Sequence, residues 1–402
     1  MMIAFVATGG TSSAAPADAG VAPGQGLAIA QTERLDPRAG GLSIGFTFGI
    51  SIAGHQNQVA QASSNAIDMG VIGTTLSSPG CDGSKPTMPA DQQPQPLQVD
   101  SRDPSAAQGK DEDEKALPVP IHKHAMANTT PFGEAITTTA AYGVPGVLQV
   151  GQGVSHSTSG LVDNGATRQA TATTDIADIN LGNVVVLNGL HWEALWSSAG
   201  DAPSIGTFTI GSATIAGKPI PTNDPMQAIT QINQFLTTSQ LGIQLAPPTI
   251  RQTGGVEFVD PLGIEVVPSH TRDTAASAAL GGLQPVRQGA FDALLNADCS
   301  FSTPITIEDI VVGSVTGAGS FGITLGGVQA MSADIAANPF HLGTFALGSA
   351  PSLGGAAGAN GVSLGGTAAK PGAPAGGAAA GAPAASQAPA APKTSPVAAI
   401  AA

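Results

Sequence analysis

Aromatic side chains are scarce, at 4% of 402 residues, with one Tyr and two Trp. Charge is scarce as well: Asp, Glu, Lys and Arg together make 10%, against about 25% in an ordinary soluble protein. Basic residues are the rarer half, 14 against 28 acidic ones, for a formal net charge of −14. Such a chain repels phosphodiester backbones, which argues against nucleic acid as a partner. It also lacks the polybasic patch that an anionic membrane surface requires. No run of about 18 apolar residues is present, so no segment reads as a transmembrane helix. The G-x-S-x-G, H-E-x-x-H and P-loop patterns are missing, no cofactor is indicated, and the expectation is a non-catalytic protein.

Cysteine is limited to Cys81 and Cys299. With too few ligands nearby for a structural zinc, the expectation is a disulfide between them. It would close a loop of more than 200 residues, worth about 5 kcal/mol in the chain-entropy model. An even count fits an oxidising, extracellular compartment. Residues 1–25 agree with that compartment: Met1 to Ala7 are mostly apolar, and Ala15-Pro-Ala17 and Ala17-Asp-Ala19 are A-x-A-like sites. They read as the back half of a secretory signal or leader without its basic region. At the other end, 37 of the 52 residues in 351–402 are Ala, Gly or Pro. That composition buries too little apolar surface to offset its ordering entropy, so a disordered, extended stalk is expected.

What remains, residues 40–345, reads as a folded β-rich body, with a sub-boundary considered near 200. From Leu42 to Ile52 every even position is large and apolar and every odd one is Gly, Ser or Thr. This period of 2 marks a half-buried strand. Residues 83–120 are rich in Pro and Gln and carry the run Lys110-Asp-Glu-Asp-Glu-Lys115. They read as a surface excursion with solvated carboxylates, interrupted by an edge strand at Leu97–Val99. In Val184–Trp196 the residues Leu190, Trp192, Ala194 and Trp196 share one face and His191 and Glu193 the other, a strand with both Trp in the core. Further strands are expected at Phe208–Ile210, Ile243–Leu245, Val256–Phe258, Leu262–Val266, Ile305–Ile307, Ile310–Val315 and Phe321–Leu325. A short helix is expected around 290–296. The single long helix is 224–241: Asp224 as N-cap, Pro225 at N1, an apolar stripe through Met226, Ile229, Ile232 and Leu236, and Gly242 as its stop. Many short strands with one helix give a mainly β fold, a sandwich in the first place. A β-solenoid is the alternative, although no fixed repeat period is present.

Chemistry-bearing clusters are few. His122-Lys-His124 puts two imidazoles on one strand face, the start of a metal site for which Asp163 or His156 would have to supply a third ligand. His191 with Glu193 could act as an acid–base pair, though on a strand they more often form a solvated face. Asp175 and Asp178 lack the paired-carboxylate pattern of glycoside hydrolysis. Gly317-x-Gly319-x-x-Gly322 matches a dinucleotide fingerprint but leads into a strand, where no helix N-terminus meets a pyrophosphate.

Several strings are similar to a known family: Ser64–Gly73 (SNAIDMGVIG), Val99–Asp103 (VDSRD), Ala177–Trp192 (ADINLGNVVVLNGLHW), Ile215–Pro221 (IAGKPIP), then a helix, then Leu241–Leu245 (LGIQL). Their order over about residues 40–335 resembles the actinobacterial secreted proteins called choice-of-anchor proteins. The resemblance implies an exported cell-envelope protein with C-terminal attachment beyond a low-complexity tail, and no activity. The expected role is thus structural or interactive at the cell surface, with an envelope component or polysaccharide as partner. A carbohydrate-binding or adhesive module using exposed Trp or Phe is the alternative, and a metal-dependent hydrolase a distant third.

Overall fold

A computed structural model describes residues 24–39, 42–43, 45–70, 73, 77, 89–115, 117, 120–144, 148–199, 204–239, 242–253, 255–266 and 320–334. The first sheet is built on the 16-residue strand β1 (Gly24–Ala39), which also pairs with the short β2 (Leu42–Ser43). On one side of β1 lie β3 (Phe46–Gln56), β4 (Val59–Asp68) and β5 (Leu97–Asp100), in chain order and all antiparallel. The second sheet is a meander in chain order as well. Its strands are β6 (Lys110–Glu114), β7 (Ile121–Asn128), β8 (Phe132–Thr139) with β9 (Tyr142–Val144), and β10 (Leu148–Val150) with β11 (Gly153–Val162). Then come β12 (Thr167–Leu181), β13 (Val185–Ser197), β14 (Ser204–Ile215) and β15 (Lys218–Ile220). After the helix α1 (Pro225–Thr238) the chain returns to the first sheet as β16 (Ile243–Ala246), β17 (Ile250–Thr253), β18 (Val256–Val259), β19 (Leu262–Val266), β20 (Ser320–Leu325) and β21 (Val328–Asp334).

The two sheets pack face to face as a sandwich; neither closes into a barrel and no solenoid coil is formed. Position 200 falls between β13 and β14, which pair from Val185–Ile215 to Trp196–Ser204 with a break at Gly189 and Gly211, so one sheet runs through the considered sub-boundary. The expected edge strand at 97–99 is β5, paired among the described residues to β4 alone. The expected strands at 305–307 and 310–315, the helix at 290–296, both cysteines, the leader and the stalk lie outside the described residues.

Over β3, β4, β7, β8 and β11 the facing side chains are small. Ala60, Ala62, Ala125, Ala127 and Ala135 form one buried cluster with Val99 and Ala106. Between them Ser51 and Ser157 join hydroxyls at 3.0 Å, His55 Nδ1 meets Ser159 Oγ at 2.9 Å, and Ser64 meets Thr137 at 2.7 Å. A Cβ on Gly133 of β8 would sit 2.6 Å from the carbonyl oxygen of Gln61 on β4. The backbones here are closer than the usual separation of about 10 Å between stacked sheets allows large side chains. This reverses the expectation for Leu42–Ile52. The odd residues, small Ser51 and Ala53 and then His55, meet the other sheet, while Ile50 and Ile52 lie on the outer face and cluster with Ile29 and Leu27.

Toward β12–β14 the sheets diverge and large residues fill the gap. Three rows of the first sheet bend at one level. β1 keeps one register against β20 and β21, with Glu33 opposite Leu325 and Ala30 opposite Val328, so Gly326–Gly327 is a bend within one long strand. Gly326 N donates to Thr32 O (2.8 Å) and Gln31 N to Gly327 O (3.2 Å) across it. The next rows bend at Asp260–Pro261 and at Pro247–Thr249, again without register change. Trp192, 0% exposed, lies against the backbone at this crease: a Cβ on Gly326 would be 2.5 Å from its ring. Its ring centroid is 4.9 Å from that of Phe208. Both Trp face the core as expected, Trp196 at its partly buried margin.

Helix α1 closes the flared end, packing on β16 and β14. Asp224 caps it by accepting from Met226 N (3.0 Å) and Gln227 N (3.1 Å). Its buried stripe is Ala228, Ile229, Ile232 and Leu236; Met226, expected in the stripe, is 36% exposed. The helix runs to Thr238 with Ser239 as its C-cap, where the Ser239 and Thr238 hydroxyls bond back to the Phe235 carbonyl. Asn233 then clamps β16 with both amide atoms, to Leu245 O and Leu245 N, each at 2.8 Å. Buried Ile and Leu side chains each contribute about 1.5–3 kcal/mol here.

The crease makes a sharp prediction. Gly326 (φ +74°) and Gly217 (φ +75°) share a left-handed backbone, but nothing lies within 4 Å of a Cβ on Gly217. Gly217→Ala should cost about 1 kcal/mol of backbone strain, and Gly326→Ala about 2–4 kcal/mol, because the indole must also move. Equal shifts in urea midpoint would show that Trp192 does not rest on the crease.

Candidate functional site

The charge run 110–114 is the exposed edge strand β6, held to β7 on both faces, and of its four carboxylates only that of Glu114 is buried. Outward, His122 Nδ1 pairs with Asp113 (2.9 Å) and its Nε2 with Asp111 (3.3 Å), while His124 Nδ1 shares Asp111 (2.9 Å). Inward, Lys123 is 0% exposed, and its ammonium donates to Glu112 (3.0 Å), Glu114 (3.2 Å) and the Gln95 carbonyl (3.0 Å). Strand alternation explains this: Asp111 and Asp113 face one way, Glu112 and Glu114 the other, and each meets the cation its register delivers.

The same outer face carries two more imidazole–carboxylate pairs. His156 Nε2 meets Glu134 at 2.8 Å, and His191 lies between Asp175 (2.7 Å) and Glu193 (3.9 Å). The Asp113 carboxylate beside His122, and Asp175 beside His191, hold those imidazoles above their ordinary pKa. On β7, β8 and β11–β14 the only Lys and Arg are Lys123 and Arg168, both buried. Protonated histidine is therefore the cation that this sheet face offers to its carboxylates.

The structure does not assemble the candidate metal ligands. His156 stands two strands from His124, with Ile136 between them in register, and is taken by Glu134. Asp163 sits in the turn after β11. Among the described residues no group of three or more His, Cys, Asp or Glu is placed to hold a metal ion. Gly322 lies in β20, in a strand as expected, and Gly317 and Gly319 lie outside the described residues. No family model, curated protein or solved structure matches the chain.

Two buried titratable groups carry no signal in the sequence. Glu33 of β1 is buried beside Tyr142, and burial pushes its carboxyl up to about 7, with the Tyr142 hydroxyl pulling weakly the other way. His55 of β3, also buried, is pushed down to about 4 by burial and then by the Arg168 guanidinium. Glu33 is covered by Tyr142 and His55 by Ser159, partners that arrive from about a hundred residues along the chain, so no local pattern marks them.

The buried ion pair and the two buried titratable groups each set a prediction. Lys123→Met leaves Glu114 buried without its cation and should destabilise by about 3 kcal/mol. Adding Glu114→Leu should recover part of that loss, and strictly additive denaturation energies would refute the pairing. For pH, Glu33 has a raised folded pKa, so its contribution is full below about 4.5 and lost as pH rises to about 7. His55 has a depressed one, so its contribution is full above about 6.5 and lost as pH falls to about 4. Each is worth about 3 kcal/mol, and the two slopes oppose each other over the same window. Stability should be nearly flat from pH 4.5 to 6.5 in the native chain. Glu33→Gln should lose stability on acidification and His55→Asn on alkalinisation; parallel profiles for all three would disprove the assignment.

Proposed function

We propose that this chain is a secreted, non-catalytic protein of the cell envelope or surface, with a structural or interaction role, in the manner of the choice-of-anchor proteins its sequence resembles. One observation carries the reading. The side chains that enzymes use as nucleophiles and bases serve here as joints: Ser51–Ser157, His55–Ser159 and Ser64–Thr137 between the sheets, and His122, His124, His156 and His191 across strands. A sandwich joined in this way is a rigid body suited to display, and the Ala/Gly/Pro-rich 351–402 is the spacer that would carry it. Its partner is an envelope component or polysaccharide. Sugar stacking on tryptophan loses support, because Trp192 is buried under the crease.

Fractionation of an actinobacterial host producing the tagged full chain tests the proposal. The chain should be found in the medium or on intact cells, open to added protease. Retention in the cytosol, protected from protease, would overturn it.

A further inference from the structure

On the outer face of β3 and β4 lies a cleft of about 300 Å³, at the small end of the range for ligand sites. Ile50 and Ile52 form its apolar floor, and Ser63 and Asn65 stand beside them across the strand pair. Ser63 is 3% exposed and its hydroxyl has no hydrogen-bond partner among the described residues. The hydroxyl oxygen is not among the fully buried unpartnered polar atoms, so it stays open to the cleft and ready for a ligand. Asn65 uses only its carbonyl, toward Ile67 N (3.3 Å), which leaves the amide N–H pair uncommitted. Asp68 uses one oxygen, toward Gly70 N (2.9 Å), and keeps the other. Among the described residues no Lys, Arg or His lines the cleft, and Asp68 is the one carboxylate, so the described lining offers an anion no counter-charge and a hard cation too few oxygens.

We propose that this cleft binds a neutral polyhydroxylated ligand, one sugar ring in size. The C–H face of such a ring fits the isoleucine floor. Adjacent hydroxyls donate to Asp68 and accept from Asn65, and Ser63 completes the set in either role. The site does not rest on the export reading: a cytosolic chain could bind, and an exported one could fail to.

Saturation-transfer NMR on the full chain tests it, with methyl glycosides of glucose, galactose and mannose, N-acetylglucosamine and myo-inositol, and with choline and inorganic phosphate as contrasts. At least one neutral probe should receive saturation. Asp68→Asn, which retains an acceptor for Gly70 N, should weaken it tenfold or more, and Ser63→Leu, which fills the floor, should abolish it with an unchanged melting curve. If Ser63→Leu does not fold, Asp68→Asn decides alone. Silence from every neutral probe, equal binding by Asp68→Asn, or binding of choline or phosphate alone would overturn the proposal.

Discussion

The close approach of the two sheets at Gly133 governs the rest of the architecture. A glycine whose missing Cβ would press on a carbonyl of the opposite sheet fixes a spacing that is filled mostly by Ala, Ser, Thr and Gly. Small residues release little apolar area on burial, so hydrophobic transfer alone holds such an interface weakly. Hydroxyl pairs compensate: at this distance Ser51 reaches Ser157 and Ser64 reaches Thr137 directly, each satisfying a buried polar atom.

The other half must then do what the first cannot. Where the strands bend at Gly326–Gly327 and the prolines of the neighbouring rows, the sheets part and the aliphatic core gathers with Trp192, Phe208 and the α1 stripe. The bend and the filling depend on each other. Without a Cβ-free backbone at Gly326 the indole could not lie flat, and without the indole the diverging sheets would leave a cavity. Helix α1 is held by the same division of labour, apolar on one side and tied to β16 through Asn233.

Local pattern made part of this legible. The alternation in 42–52, the Trp face of β13 and the capped, striped helix all arise from periods that a single segment displays. What failed were questions of partnership. Period 2 shows that β3 has two unlike faces, not which of them meets the other sheet, and the smaller face won because the spacing excludes the larger. The run 110–114 is as exposed as its composition suggests, but its pairing with the buried Lys123 was not legible, because that cation lies on the next strand. The central strand β1, with Glu33, Arg34 and Asp36, has no strand-like polarity pattern. It is a strand because β3 and the distant β20 and β21 pair with both of its edges.

That inversion of faces also bears on function. Once the small side of β3 is turned inward, Ile50 and Ile52 must point away from the interface, yet they remain buried. An outward apolar patch between two strands is costly in water unless something covers it. Here the described cover includes Met69, Gly70, Gly73, Ser77 and Gln93–Pro96, and it leaves a cleft instead of a sealed contact. Polar groups along β4 then border a dry floor, the combination on which recognition of small polar molecules depends. A sandwich with an ordinary large-residue interior would have buried those isoleucines between its sheets and had no such floor to offer.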